Sequence, residues 1–128
     1  MSSFPTDLRY TADHEWLRSQ GSAWRVGITQ FAVDQLGDIT LVDLPSVGDL
    51  VTKGQRFGTI ESVKSVSDLY APVSGKVVAV NAALKDAPES VNTGPYEAGW
   101  MIEIEPTEAA ELAELMAHDA YTKHVAAQ

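Results

Sequence analysis

The chain has no cysteine. That excludes a disulfide framework, a thiolate nucleophile and any cysteine-based metal site, so redox chemistry would have to arrive on an attached group. Basic residues are scarce: 9 Lys and Arg stand against 18 Asp and Glu among 128 residues, a formal charge of -9. Such a charge repels nucleic-acid phosphates and anionic lipid headgroups, which argues against nucleic acid and membrane as partners and favours proteins with basic docking patches. No apolar run approaches the ~20 residues that span a bilayer. The opening Met1-Ser2-Ser3-Phe4-Pro5-Thr6-Asp7 has neither a basic n-region nor an Arg-rich amphipathic stretch. These absences predict a cytoplasmic bacterial protein, or a mitochondrial one whose transit peptide has been removed.

Enzymatic signatures are missing as well. There is no Gly-x-Ser-x-Gly elbow, no His-Glu-x-x-His pair and no Gly-rich phosphate loop. His14, His118 and His124 share no metal-ligand spacing. No catalytic residue and no metal site is therefore expected, and Ser62, Ser65 and Ser67 read as polar turn groups.

What is present, 45% apolar residues, suffices for one domain over residues 1–128. Glu15 to Arg18 and Ala23 to Ile28 flank Ser19-Gln20-Gly21-Ser22, with Trp24, Val26 and Ile28 on one face, which predicts an N-terminal hairpin over about 14–28. Thr29 is suited to cap a short helix near 29–36 that ends at Gly37. From Gly37 to Pro106 short β-segments alternate with Gly, Pro, Asp and Asn, the pattern of a mainly β core over about 37–106. After Pro106, Thr107 reads as the N-cap of a C-terminal helix over about 108–117, with Glu108 and Glu111 in its first turns and Leu112, Leu115 and Met116 as its apolar stripe. The tail beyond His118 adds a further turn or two. Trp16, Trp24 and Trp100 are assigned to the core or its rim.

Within the β-region a faint repeat runs through the text. Gly37, Ile39, Val42 and Asp43 recur as Gly75, Val77, Val80 and Asn81 at a constant spacing of 38, and Ile60-Glu61 is echoed by Ile102-Glu103. Two half-size β-units that cannot each close a core are expected to pack face to face with pseudo-twofold symmetry.

Between the units lies Glu61-Ser62-Val63-Lys64-Ser65-Val66-Ser67-Asp68. A reversal there would hold Lys64 at a tip, although the segment lacks the Asn-Gly or Gly-x of tight hairpins. A terminal amine on a four-carbon stem suits attachment of an acyl group through a stable amide. On the residues alone, an exposed turn lysine more often serves solubility.

The run Gly48-Asp49-Leu50-Val51-Thr52-Lys53-Gly54-Gln55, followed by Gly58-Thr59-Ile60-Glu61-Ser62-Val63-Lys64-Ser65 and by Ala71-Pro72-Val73-Ser74-Gly75, resembles the biotinyl/lipoyl-carrier superfamily. Within it, Glu61-Ser62-Val63-Lys64-Ser65 is similar to the lipoylation motif of glycine cleavage H-proteins. His14-Glu15-Trp16, Gly27-Ile28-Thr29, Leu36-Gly37-Asp38-Ile39, Pro95-Tyr96 and Gly99-Trp100-Met101 extend that resemblance over almost the whole chain. It implies a barrel-sandwich hybrid fold with an N-terminal hairpin and a C-terminal helix, and N6-lipoyllysine at Lys64, whose dithiolane supplies the disulfide the chain lacks. It also implies a carrier and not an enzyme, serving glycine catabolism and one-carbon metabolism as a shared substrate. Glycine decarboxylase (P-protein) loads an aminomethyl group, aminomethyltransferase (T-protein) removes it, dihydrolipoamide dehydrogenase (L-protein) reoxidises the dithiol, and a lipoate ligase or octanoyltransferase attaches the arm.

By the same resemblance Glu15, and with less weight Asp68, contact the loaded arm. Their bland alternatives are a surface charge on a strand and a common turn aspartate. Asp13 stands where several family members have Ser. Two other roles compete: a lipoyl-relay donor for lipoate transfer to other enzymes, and a biotin carrier, which Val63 and Ser65 disfavour because methionines are expected beside a biotinylated lysine.

Overall fold

The computed structural model describes residues 5–127; Met1–Phe4, read above for a targeting signal, and Gln128 lie outside the described residues. In chain order the strands of the first half are β1 (Arg9–Tyr10), β2 (Glu15–Gln20), β3 (Ala23–Ile28), β4 (Ile39–Asp43) and β5 (Leu50–Val51). Those of the second are β6 (Arg56–Ser62), β7 (Val66–Tyr70), β8 (Gly75–Val80) and β9 (Ile102–Pro106). The helices are α1 (Gln30–Leu36), α2 (Ala83–Asp86), α3 (Ser90–Thr93), α4 (Ala109–Leu112) and α5 (His118–Ala126). No helix of the described residues is long and apolar enough to cross a membrane.

Two sheets face each other without closing into a barrel, one of six strands in the order β1-β2-β3-β9-β8-β5 and one of three in the order β4-β6-β7. Their inward side chains, among them Val26, Ile60, Val73, Val77 and Ile104, form the main core. Removing those aliphatic groups from water is the dominant favourable term that joins the sheets.

The repeat at spacing 38 is structural. Val42 pairs with Ile60 across β4 and β6, and its counterpart Val80 pairs with Ile102 across β8 and β9. Each ladder also shifts register at the equivalent place, between Ile39 and Leu41 in one and between Val77 and Ala79 in the other. A bulge at one position in both units re-aims both strands alike.

The N-terminal hairpin forms with a tighter turn than its flanking residues suggested. Gln20 pairs with Ala23, leaving Gly21 and Ser22 as a two-residue loop with Gly21 at φ 67°. Its two faces serve two cores. Val26 and Ile28 join the main one, while Trp16 packs over Gly27 into a second cluster with Leu8, Tyr10 and Tyr121. A Cβ on Gly27 would stand 2.6 Å from the Trp16 ring, so only glycine fits there.

Two segments differ from the sequence reading. The C-terminal helix expected over about 108–117 is broken: α4 stops at Leu112, Glu108 makes no side-chain cap bond, and Thr107 instead donates its N–H to Ser74. The break follows from Met116, whose N–H and C=O both pair with Tyr10 of β1, a strand-like bridge no helix could satisfy. The longer C-terminal helix is α5, in the tail, anchored by Tyr121 stacked on Tyr10 at a centroid distance of 4.7 Å. Between β8 and β9, where only β-segments were expected, the chain makes the single turns α2 and α3 and then a loop. The Asn81 amide holds this loop by donating to the carbonyls of Ala98 and Trp100 at 2.8 and 2.7 Å.

Candidate functional site

Lys64 sits in the three-residue loop between β6 and β7, exposed to solvent. The missing Asn-Gly is replaced by Ser62. Its Oγ accepts the N–H groups of Ser65 at 3.1 Å and Lys64 at 3.3 Å, and its N–H donates to the Ser65 carbonyl at 2.8 Å. A serine hydroxyl thus satisfies loop donors that a tight turn would pair through its backbone.

The tip leans on the end of α1. Thr29 caps that helix through its side chain, at 3.4 Å from Ala32 N, and Gly37 ends it at φ 82°. The Lys64 Cε lies 3.5 Å from where a Gly37 Cβ would stand, and Val63 donates its N–H to the Asp38 carbonyl at 3.0 Å. Asn92 of α3 clamps the same segment, donating to the Gly37 carbonyl and accepting from Ile39 N, both at 2.8 Å. The lysine stands on a braced support, with Val63 and Val66 beside it 68% and 67% exposed.

Next to the tip, where the sheets part, lies a cleft of about 260 Å³. Its apolar wall comes from Ile28, Phe31, Leu36, Ile60 and Leu69, and its polar groups are Asp13, His14, Glu15, Gln35, Ser67 and Asp68. Glu15 and Asp68, 53 positions apart in the chain, therefore share one cavity. Asp68 is exposed at its mouth.

Glu15 is not a surface charge: it is 2% exposed. Its Oε2 accepts the N–H of Tyr70 on β7 at 2.9 Å, capping the outer edge of the three-stranded sheet, whereas Oε1 is buried with no hydrogen-bond partner. Burial holds this carboxyl well above the usual carboxylate range; the Tyr70 bond opposes that, and the Asp13 charge adds to it. The Thr11 hydroxyl, which accepts the Glu15 N–H at 3.2 Å, lies near enough to favour the anion without meeting hydrogen-bond geometry to Oε1. A buried acceptor left unmade is costly. It suits a donor or cation entering the cleft.

Sequence reading took Ser62 as a polar turn group and His14 as a non-ligand, and passed over Asn92; the structure gives Ser62 the turn and places His14 in the cleft wall. Among the described residues no group of three His, Cys, Asp or Glu side chains is arranged to hold a metal ion.

A β-sandwich of two related units that displays a lysine on a hairpin beside a small cleft is the architecture of the biotinyl/lipoyl-carrier class. The profile of one family, described as Glycine cleavage H-protein, matches residues 8–128. Curated relatives bearing the name glycine cleavage system H protein include that of Anaeromyxobacter sp. (strain K), 57% identical over 124 residues, 97% of each chain. Another, from Listeria monocytogenes, is 54% identical over 121 residues, 94% of this chain and 97% of that one. The crystal structure of a glycine cleavage system H protein from Mycobacterium marinum superposes with a TM-score of 0.86 at 42% identity, covering 96% of this chain and 99% of that one. The chain belongs to the glycine cleavage H-protein family.

Proposed function

We propose that the chain is the lipoyl carrier of the glycine cleavage system, with lipoate amide-linked to Nζ of Lys64, acting as a shared substrate and not as an enzyme. It takes an aminomethyl group from the P-protein to the T-protein and presents the reduced dithiol to the L-protein, in the bacterial cytosol. The observation that carries this reading is the pairing of a braced, solvent-exposed Lys64 with an adjacent cleft that has an apolar wall and an under-bonded buried carboxylate.

When bound, the lipoyl group supplies the disulfide that a chain with no cysteine lacks. The chain's own residues do the rest. Phe31, Leu36, Ile60 and Leu69 exclude water from the apolar part of the arm, at roughly 0.8 kcal/mol for each methylene buried. Glu15, with Asp68 at the rim, orients a cationic amine, whose charge favours the ionised carboxylate that burial alone disfavours. A fully exposed ion pair would contribute only about 0–1 kcal/mol, so shelter in the cleft is what gives the carboxylate its effect.

Reconstitution of the lipoylated chain with glycine and the P-, T- and L-proteins tests this reading. Turnover that depends on the chain supports it; lipoate transfer to other enzymes without glycine turnover would make the chain a relay donor instead. Lipoylated Glu15→Gln, loaded by the P-protein and left without T-protein, is expected to lose its cargo faster than wild type. Equal rates would remove Glu15 from the site.

A further inference from the structure

Tyr121 is the buried side chain of α5, outside the cleft, yet its hydroxyl touches two parts of the cleft's frame. It lies 2.7 Å from Thr29 Oγ1, the N-cap of α1, and 2.8 Å from Nδ1 of His14, the residue before Glu15. Phe31 of α1 packs against the same His14 ring at 4.6 Å. His14 itself has φ 67°, a left-handed conformation that non-glycine residues seldom adopt and that the surrounding structure must hold in place.

The Tyr121 hydroxyl is the hub of these contacts: Thr29 Oγ1, which also accepts the Ala32 N–H, and His14 Nδ1 both lie within hydrogen-bond distance of it. Burial pushes the Tyr121 phenol up to about 12 despite the Thr29 bond, so it remains a donor throughout the neutral range.

We propose that Tyr121 is a positioning residue of the carrier site: it fixes the orientation of His14 and ties the start of α1 to the start of β2, so that the C-terminal helix holds the cleft in its receiving shape. This role rests on the reading of Lys64 as the attachment point of the arm. Occupation of the cleft and docking of α5 are then thermodynamically coupled, each favouring the other.

Tyr121→Phe in the full chain tests it, because the ring stack on Tyr10 is kept and only the hydroxyl is lost. In unmodified, nitrogen-15-labelled protein, the His14 imidazole signals should differ between wild type and Tyr121→Phe; unchanged signals overturn the proposal. In Tyr121→Phe, amide exchange at Thr29 and Val33, which bond to the His14 and Thr29 carbonyls, should quicken about fivefold, the weight of one net hydrogen bond. Val77 and Ile104 in the sheets should be unchanged. Uniform acceleration, or none, overturns it. Attachment of lipoate to Lys64, verified by mass, should shift the amide resonances of Phe31, Leu36 and Leu69 in wild type and shift them by less than half as much in Tyr121→Phe. Equal shifts in both proteins, or none in either, overturn it. If Lys64 takes no lipoate, the carrier reading fails and this role with it, and the imidazole and exchange results then mark Tyr121 as a structural tie.

Discussion

Replacing Glu15 by Gln removes a charge from a site only 2% exposed while keeping its shape and an oxygen to accept the Tyr70 N–H. Because burial raises the Glu15 carboxyl above its ordinary value, the folded chain holds a proton that the unfolded chain has already released over the interval between the two. Stability from this group is fully present below the unfolded value, about 4.3, and is lost as pH rises toward the folded one. For a single proton the slope approaches about 1.4 kcal/mol per pH unit. Glu15→Gln has no such slope. At about pH 4, where both side chains are neutral, the two proteins should differ by no more than about 1 kcal/mol, one net hydrogen bond. Above about pH 5 the variant should gain on wild type by up to about 1.4 kcal/mol per unit until the folded value is passed. Urea unfolding of the unmodified proteins, followed through the three tryptophans, measures this directly. Stability curves that run parallel from about pH 4 to about pH 8 would refute the reasoning, since Glu15 would then ionise in the fold as it does in water.

Ser62→Ala should loosen the tip by about 0.5–1.5 kcal/mol, seen as faster amide exchange at Lys64 and Ser65 and slower acylation of Lys64, with the melting temperature lowered by only a few degrees. Slowed acylation without faster exchange would assign Ser62 to enzyme contact instead. Gly27→Ala drives a methyl into the Trp16 ring and should cost about 1–3 kcal/mol, read as a lower melting temperature; an unchanged one would contradict the packing described. With a formal charge of -9, association with the P- and T-proteins should slow as salt is raised, because charge complementarity steers encounter and is screened beyond about 8–10 Å. On-rates indifferent to salt would exclude such steering.

Local pattern carried the sheets well. Ala23–Ile28 forms the strand that Trp24, Val26 and Ile28 marked, although its end is buried on both faces, Thr29 and Gly37 bracket a helix by ordinary capping chemistry, and the spacing of 38 marked two units whose bulges coincide. What local pattern could not carry depends on partners far along the chain. Helix signals over 108–117 lose to the backbone pairing of Met116 with Tyr10, more than a hundred residues away. Glu15 reads like any strand carboxylate until Tyr70, 55 positions on, is brought against it. The cleft gathers residues from β2, β3, α1, β6 and β7, and of these only β6 and β7 are joined by one motif, the run from Glu61 to Asp68. Family resemblance, not local pattern, singled out Lys64 for attachment, whereas Ser62, read as a polar turn group, proves to build the turn through its hydroxyl.

The central claim, that Lys64 is the site of lipoylation, is tested most directly by intact mass with peptide mapping after incubation with lipoate and an attaching enzyme. One lipoyl group should be found, on the peptide containing Lys64, and Lys64→Arg, which keeps charge but offers no acylatable amine, should carry none while folding normally. A lipoyl group on Lys53, Lys76 or Lys85, or a Lys64→Arg protein that is still modified, would contradict the account.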